Sequence, residues 1–254
     1  MTNITITDRD DGFGAQYQHI IYGIIYAEMN HKTYIHKPIT KMAHNYDDDP
    51  QFVNEIEEFM NIKNHYKTTR EISQVEVVDF WTLYNFITNY ENPCKEKFNF
   101  YLSQTNALEK IKSIFWENKI NPFSNTSVTN VAVHIRRPNR EDNRIEGSNT
   151  PDESYLHIIN HVRHTETIAH PDKKILFHIY SQTTIDAAKY NAEDMVLHID
   201  EDIKSTFTGF VGADIFIGSN SSFSYCAGLL SDGKVYFIHS NSTLSPPKHD
   251  WIFM

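Results

Sequence analysis

Cysteine is scarce: the 254 residues hold two, Cys94 and Cys226, 132 positions apart with no Cys-x-x-Cys spacing. That excludes a disulfide framework, a zinc ribbon and a thioredoxin-type redox site. Basic charge is short as well. Lys plus Arg is 23 against 33 Asp plus Glu, a net charge of -10 with His neutral, which is the wrong sign for a broad nucleic-acid face. No stretch approaches 18 consecutive apolar residues, so no membrane-spanning helix is expected. The first twelve residues are polar where a secretion signal needs an apolar core, and a cytoplasmic location is the expectation. The Asn-x-Ser/Thr sites at Asn3, Asn125, Asn220 and Asn241 then carry no meaning. There is no internal repeat and no low-complexity tract.

What is present is core material: 40% hydrophobic and 13% aromatic residues, enough for one large domain or two compact lobes. Ile4–Thr7 alternates as a strand and runs into Asp8-Arg9-Asp10-Asp11-Gly12-Phe13-Gly14-Ala15-Gln16. A helical stripe (Ile20, Ile21, Ile24, Ile25, Met29) and a short strand, Thr33–His36, closed by Pro38, complete a strand, turn, helix, strand unit. Residues 47–72 are charged and mostly helical in pattern, Val75–Val78 reads as a strand, and 79–120 as aromatic-rich helix with Leu102, Leu108, Ile111, Ile114 and Phe115 inward. The aromatics are core in this reading.

Asn121–Ser127, with Pro122 in a polar run, marks the junction, placing an N-terminal lobe at 1–122 and a C-terminal lobe at 123–254. Val128–Ile135 is a nearly continuous apolar run, as in a strand buried on both faces. Helices at 152–164, 184–190, 204–212 and 222–230 then alternate with strands at 175–180, 195–199, 214–217 and 235–238. The predicted class is α/β: two Rossmann-like lobes facing a cleft, with functional residues in the loops that follow strands.

Three such loops carry chemistry. In the first, Gly12 and Gly14 let the backbone approach a ligand ahead of a helix N-terminus, but Tyr17 stands where the dinucleotide fingerprint has its third glycine, so a dehydrogenase is a poor fit, and no Walker lysine is present. The second, His134-Ile135-Arg136-Arg137, concentrates cations at a strand's carboxyl end in an acidic chain, suited to a diphosphate. The alternative is a surface turn paired with Glu141, Asp142 and Glu146. The third, Gly218-Ser219-Asn220-Ser221-Ser222-Phe223-Ser224, is an uncharged anion cradle at a helix N-terminus, or ordinary capping by Ser221 or Ser222.

Taken together, Gly12–Gln16, the strand ending His134-Ile135-Arg136-Arg137, and Ala213–Gly218 followed by Ser221–Ser224 resemble the fucosyltransferase superfamily of inverting GT-B glycosyltransferases, which shares a His-x-Arg-Arg type motif. Compact glycosyltransferases of giant viruses are also similar. The resemblance implies a nucleotide-sugar donor, GDP-fucose first, held mainly by the C-terminal lobe, and a glycan acceptor. It implies that Arg136 neutralises the β-phosphate, that Ser221, Ser222 and Phe223 hold the diphosphate, that Asp200 or Asp214 contacts ribose or base with Ser181 and Gln182 at a base-binding position, and that His134, Arg137, Ser219 and Asn220 belong to the nucleotide-sugar site. Gly12, Gly14 and Gln16 join the donor site. Ala15 departs from the Asn usual in this loop, and the shorter chain leaves UDP-xylose or another UDP- or GDP-sugar open.

An inverting transfer needs a base at the acceptor hydroxyl. Asp10, Asp11, Glu141, Asp142 and Glu146 all sit on predicted cleft loops, with Asp11 and Glu146 foremost. Neither a metal nor another cofactor is expected, since arginines supply the positive charge. Asp8-Arg9-Asp10 follows the first strand rather than lying mid-chain as the GT-A Asp-x-Asp does, and His19 stands where a calcium loop from Asp8 would have Glu. His157, His161 and His164 share a helix face with no fourth ligand, which reads as solvated surface. The competing class is a noncatalytic nucleotide-sugar or glycan-binding module.

Overall fold

A computed structural model of the protein describes residues 2–45, 49–72, 74–88, 95–124, 127–137, 150–183, 185–238, 246 and 248–254. The chain is α/β and divides into two units: Met1–Ile120 with Thr243–His249, and Asn121–Ser242 with Asp250–Met254. Each is built on a parallel sheet of its own, the Rossmann-like construction expected from the alternating pattern.

The first unit has a three-stranded sheet, β2-β1-β3, of β1 (Asn3–Ile6), β2 (Thr33–Tyr34) and β3 (Glu76–Val78). Between β1 and β2 runs α1 (Phe13–Met29), buried on nearly every side, which explains why its apolar stripe is broad and carries Gln16, Gln18 and His19 inside as well. Gly23 is required for its seat on the sheet: a Cβ there would lie 2.7 Å from Ile6 and 3.0 Å from Tyr34. The charged segment yields α2 (Pro50–Met60), started by Asp49 accepting from the Gln51 N–H and by Pro at the first turn. The aromatic segment breaks into α3 (Phe80–Ile87), capped by Asp79, α4 (Lys95–Ser103) and α5 (Ala107–Trp116).

The second unit has six parallel strands in the order β6-β5-β4-β7-β8-β9. These are β4 (Val128–His134), β5 (Lys174–Ser181), β6 (Met195–Ile199), β7 (Ile215–Gly218), β8 (Lys234–Phe237) and β9 (Ile252–Phe253). Counted within the unit this is 3-2-1-4-5-6, the doubly wound order whose switch point, here between β4 and β7, is where such sheets bind ligands beyond their carboxyl ends. Its helices are α6 (Asp152–Ala169), α7 (Ile203–Gly212) and α8 (Ser222–Leu230).

Alternation along β4 sorts its two faces. Val131, Val133 and Ile135 form one core with Tyr155, Ile158, Ile159 and Val162 of α6, while His134 points to the other face against Phe210 of α7 and Phe223 of α8. Three expectations differ from the structure. Residues 184–190 supply a single 3-10 turn, Ala187–Tyr190, capped by Asp186, too short to make a helix. The sheet gains β9, whose two residues are too few to show a period. β7 starts at Ile215 because the Asp214 side chain accepts the Asn130 N–H.

Candidate functional site

The switch point of the second unit is organised around His134. Its Nδ1 lies 2.6 Å from Ser224 Oγ and 3.1 Å from Ser219 Oγ, and the Ser219 N–H donates to Ser224 Oγ at 3.1 Å. Phe210 and Phe223 wall the ring at 5.0 and 5.7 Å. Burial, helped by the charge of neighbouring Arg136, pushes the imidazole down to about 3, so it stays neutral at working pH. His134 therefore ties β4 to the β7–α8 turn and carries no mobile proton there.

This changes the roles of the hydroxyls. Ser219 is 1% exposed and faces His134, and Ser221 Oγ accepts the Ser224 N–H as the α8 cap. Ser219 is thereby committed to His134, while Ser221, itself half-buried, caps the helix. Asn220, Ser222 and Phe223 are half-buried around the α8 N-terminus, the positive end of the helix dipole.

The two arginines part company. The Ile135 N–H still bonds to Tyr180 O at 2.9 Å, so the extended run of β4 continues past His134. Alternation then puts Arg136 on the face of His134 and α8, and Arg137 on the face of α6. Arg137 is ion-paired with Asp152, donates to Thr150 O at 2.9 Å and stacks over Tyr155 at 5.8 Å. Asp152 also accepts from the Tyr190 hydroxyl at 2.8 Å. Burial raises the Asp152 carboxyl, but Tyr190, Arg137 and Lys189 outweigh it and hold it below the usual range. Arg137 thus ties the end of β4 to the start of α6, a partner set that the sequence did not reveal because Asp152 and Tyr190 lie 15 and 38 positions from their partners.

The remaining residues of this unit divide by sheet edge. Ser181 ends β5 with Gln182 next to it, and Asp200, in the left-handed region at φ 55, directly follows β6 with its N–H on Ser181 O at 2.9 Å. All three stand at the carboxyl edge. Asp214 does not: it precedes β7, level with Asn130, so a role toward ribose or base is corrected to a structural one at the opposite edge. Sequence reasoning also missed the chain Glu201–His198–His178–Asn130, linked at 2.7, 3.0 and 3.3 Å, because its members come from three strands and a loop.

In the first unit Asp11 is ion-paired with Arg9, whose guanidinium lies 4.2 Å over the Phe80 ring. Gln16 is committed to the fold: its amide donates to Asp11 O at 2.7 Å and Lys41 O at 2.9 Å, which corrects its expected contact with a donor. The Ala43 N–H, bonded to Asp10 O and Asp11 O, completes this latch. A Cβ at Gly12 would meet the exposed His44 ring at 2.8 Å, and Gly14 lies buried in the first turn of α1. Glu146, with Glu141 and Asp142, lies outside the described residues. Among the described residues no group of three or more His, Cys, Asp or Glu gathers as metal ligands, and no helix is long and apolar enough to cross a membrane.

The fold is that of a parallel α/β protein with a doubly wound second sheet. No family model and no curated protein sequence matches the chain. Solved structures that are similar include the fucosyltransferase NodZ from Bradyrhizobium, 12% identical over 91% of this chain and 94% of that one, TM-score 0.41. The E. coli heptosyltransferase WaaC with ADP is 10% identical over 100% and 92%, TM-score 0.47. A family 9 glycosyl transferase from Veillonella parvula is 10% identical over 100% and 85%, TM-score 0.44. At these identities and TM-scores the likenesses decide neither family nor activity.

Proposed function

We propose that the chain is an inverting, metal-independent glycosyltransferase that moves a sugar from a nucleotide-sugar donor, GDP-fucose before UDP-xylose or another nucleotide sugar, to a glycan hydroxyl. The observation that carries the reading is the switch point itself: Arg136 follows β4 by two residues and the α8 N-terminus follows β7, the two neighbouring strands whose ends His134 ties together through Ser224. A cation and a helix N-terminus converging beyond a 3-2-1-4-5-6 sheet suit a diphosphate.

In the reaction the acceptor oxygen attacks the anomeric carbon, the bond from that carbon to the β-phosphate oxygen breaks, and the electron pair leaves with the diphosphate. Arg136 and the α8 amides stabilise the charge that develops there. Because they do so without a metal, magnesium is not required in this reading. Asp11 or Glu146 takes the acceptor proton as general base. Ser181, Gln182 and Asp200, on the β5 and β6 ends, meet the nucleoside part of the donor.

The experiment is a thermal-shift panel of GDP, UDP, GDP-fucose and UDP-xylose with and without magnesium; ligand at about 100 times its Kd stabilises by about 2.7 kcal/mol. Stabilisation by one nucleotide series, equal with and without magnesium and lost in Arg136→Ala, is expected. No shift with any of the four overturns the reading.

A further inference from the structure

Across the edge of the second sheet four side chains stand in line. His198 Nδ1 lies 2.7 Å from Glu201 Oε1, its Nε2 lies 3.0 Å from His178 Nδ1, and His178 Nε2 lies 3.3 Å from Asn130 Oδ1. Asn130 turns its Nδ2 to Val128 O at 3.4 Å, so its oxygen faces His178. Both ends of the line therefore only accept hydrogen bonds, because an ionised carboxylate also has no hydrogen to give.

Three contacts between two accepting ends need three N–H groups, and two neutral imidazoles supply two. Whichever tautomers the rings adopt, one contact then sets a lone pair against a lone pair. One added proton removes the conflict. Burial, then the charge of His198, pushes His178 down to about 4, which keeps that proton off the inner ring. Of the outer two groups an imidazole is the stronger base, so the proton belongs on His198, which gives one N–H to Glu201 and the other to His178. Among the described residues the titratable groups facing the His198 ring are His178 and Tyr180 from β5 and Glu201 from the turn. Tyr180 lies flat against it at 4.3 Å, and burial, then Glu201, raises its phenol, so it is uncharged. α7 sends Phe210 against Tyr180, and Phe123 covers His178 at 4.5 Å; neither brings a charge.

His198 and Glu201 bracket Asp200, which holds a left-handed φ of 55 that is uncommon for a residue with a Cβ. On either side the chain is fixed: the Asp200 N–H bonds to Ser181 O at 2.9 Å, and Asp202 caps α7 by accepting the Ser205 N–H at 2.8 Å. The bond from His198 to Glu201 closes the turn between these two anchors. We propose that His198 and Glu201 are positioning residues for Asp200, locking its turn while the pair holds one proton and loosening it when that proton leaves. Their effect on a ligand rests on the reading of Asp200 as a nucleoside contact; the proton count stands without it.

The test uses the full chain. Imidazole ¹⁵N resonances are followed by NMR from about pH 8 to about pH 5.5, the span in which histidine changes charge, with His198 assigned by its loss in His198→Phe. Both His198 nitrogens should become protonated as pH falls, His178 should stay neutral with its proton on Nε2, and the Asp200 amide resonance should follow the same titration. Calorimetry with GDP-fucose and UDP-xylose, whose diphosphates carry no group that titrates in this span, should show the one that binds held about fivefold more tightly at the lower pH. In Glu201→Gln the side-chain amide supplies the third hydrogen, so all three contacts close without an added proton. That variant should bind equally at both pH values, as tightly as the wild type at the lower one, whereas a merely structural bond would predict weaker binding at both.

The proposal is wrong if His198 keeps a single protonated nitrogen throughout, if the Asp200 amide does not follow His198, if wild-type affinity is the same at both pH values, or if Glu201→Gln keeps the pH dependence. Should Glu201→Gln fail to fold, the wild-type titration still decides. Absence of binding by either nucleotide sugar, with the coupled His198 and Asp200 titration present, would count against the donor reading and for the lock.

Discussion

His134 Nδ1 and Ser224 Oγ, ninety positions apart in the chain, stand 2.6 Å from each other and join the end of β4 to the start of α8. Ser224 also accepts the Ser219 N–H. Ser224→Ala should therefore cost about 1 to 3 kcal/mol of folding stability, because a buried N–H and a buried imidazole each lose a partner. Urea unfolding measures it; a loss below a few tenths would mean that the network is not holding the switch point.

Arg136 and Arg137, adjacent in sequence, should fail differently. Arg136→Ala is expected to weaken nucleotide-sugar binding by about 10- to 100-fold, the worth of a charge-assisted contact. Arg137→Ala removes the partner of Asp152, both side chains being less than a fifth exposed, and should cost roughly 1 to 3 kcal/mol of stability. Calorimetric titration with GDP beside urea unfolding of both variants checks the division.

Asp200 and Asp214 provide a second contrast. Asp214→Ala strips the Asn130 N–H of its acceptor and should destabilise by about 1 to 2 kcal/mol with nucleotide affinity unchanged. Asp200→Ala, at the carboxyl edge, should lower nucleotide affinity several-fold instead. A loss of nucleotide binding in Asp214→Ala would contradict the placement of the site.

Gln16→Ala should loosen the latch between the Gly12 loop and residues 41–43, since its amide bonds two carbonyls there. The expected cost is about 1 to 2 kcal/mol, read by unfolding, with faster amide exchange at Ala43.

Acid should weaken the fold through three histidines. Burial pushes His134 down to about 3, and His19 and His178 to about 4, against 6.5 in the unfolded chain. Each folded pKa lies below its unfolded value, so above pH 6.5 both states are neutral and these groups are silent. As pH falls from 6.5 toward 4 the unfolded state takes up protons that the folded state refuses, and stability drops by up to about 1.4 kcal/mol per unit for each histidine. Urea midpoints at pH 7 and pH 5 should differ accordingly, and the three imidazoles should stay neutral in NMR titration over that span.

Much of the fold was legible in the sequence. The β4 run Val128–Ile135, the break at 121–127 and the α8 segment 222–230 were visible because an apolar period or a proline-marked turn is local. β9 was not, since two residues hold no period, and neither was the fragmentation of 79–120 into three helices, because aromatics there suit core in any arrangement. At the site, the positions of His134, Arg136 and the 218–224 turn were legible as loops after strands. The commitment of Arg137, Ser219, Gln16 and Asp214 to internal partners was not.

The sequence by itself determined the alternation of strands and helices, the acidic charge, and which loops follow strands, all of which depend on neighbours within a few positions. Tertiary structure decided which polar groups are left for a ligand. Arg137 and Arg136 read alike along the chain, yet folding brings Asp152 of α6, fifteen positions away, against Arg137. A side chain's availability is set by the partner that folding brings within about 3 Å, and a linear sequence does not record that partner.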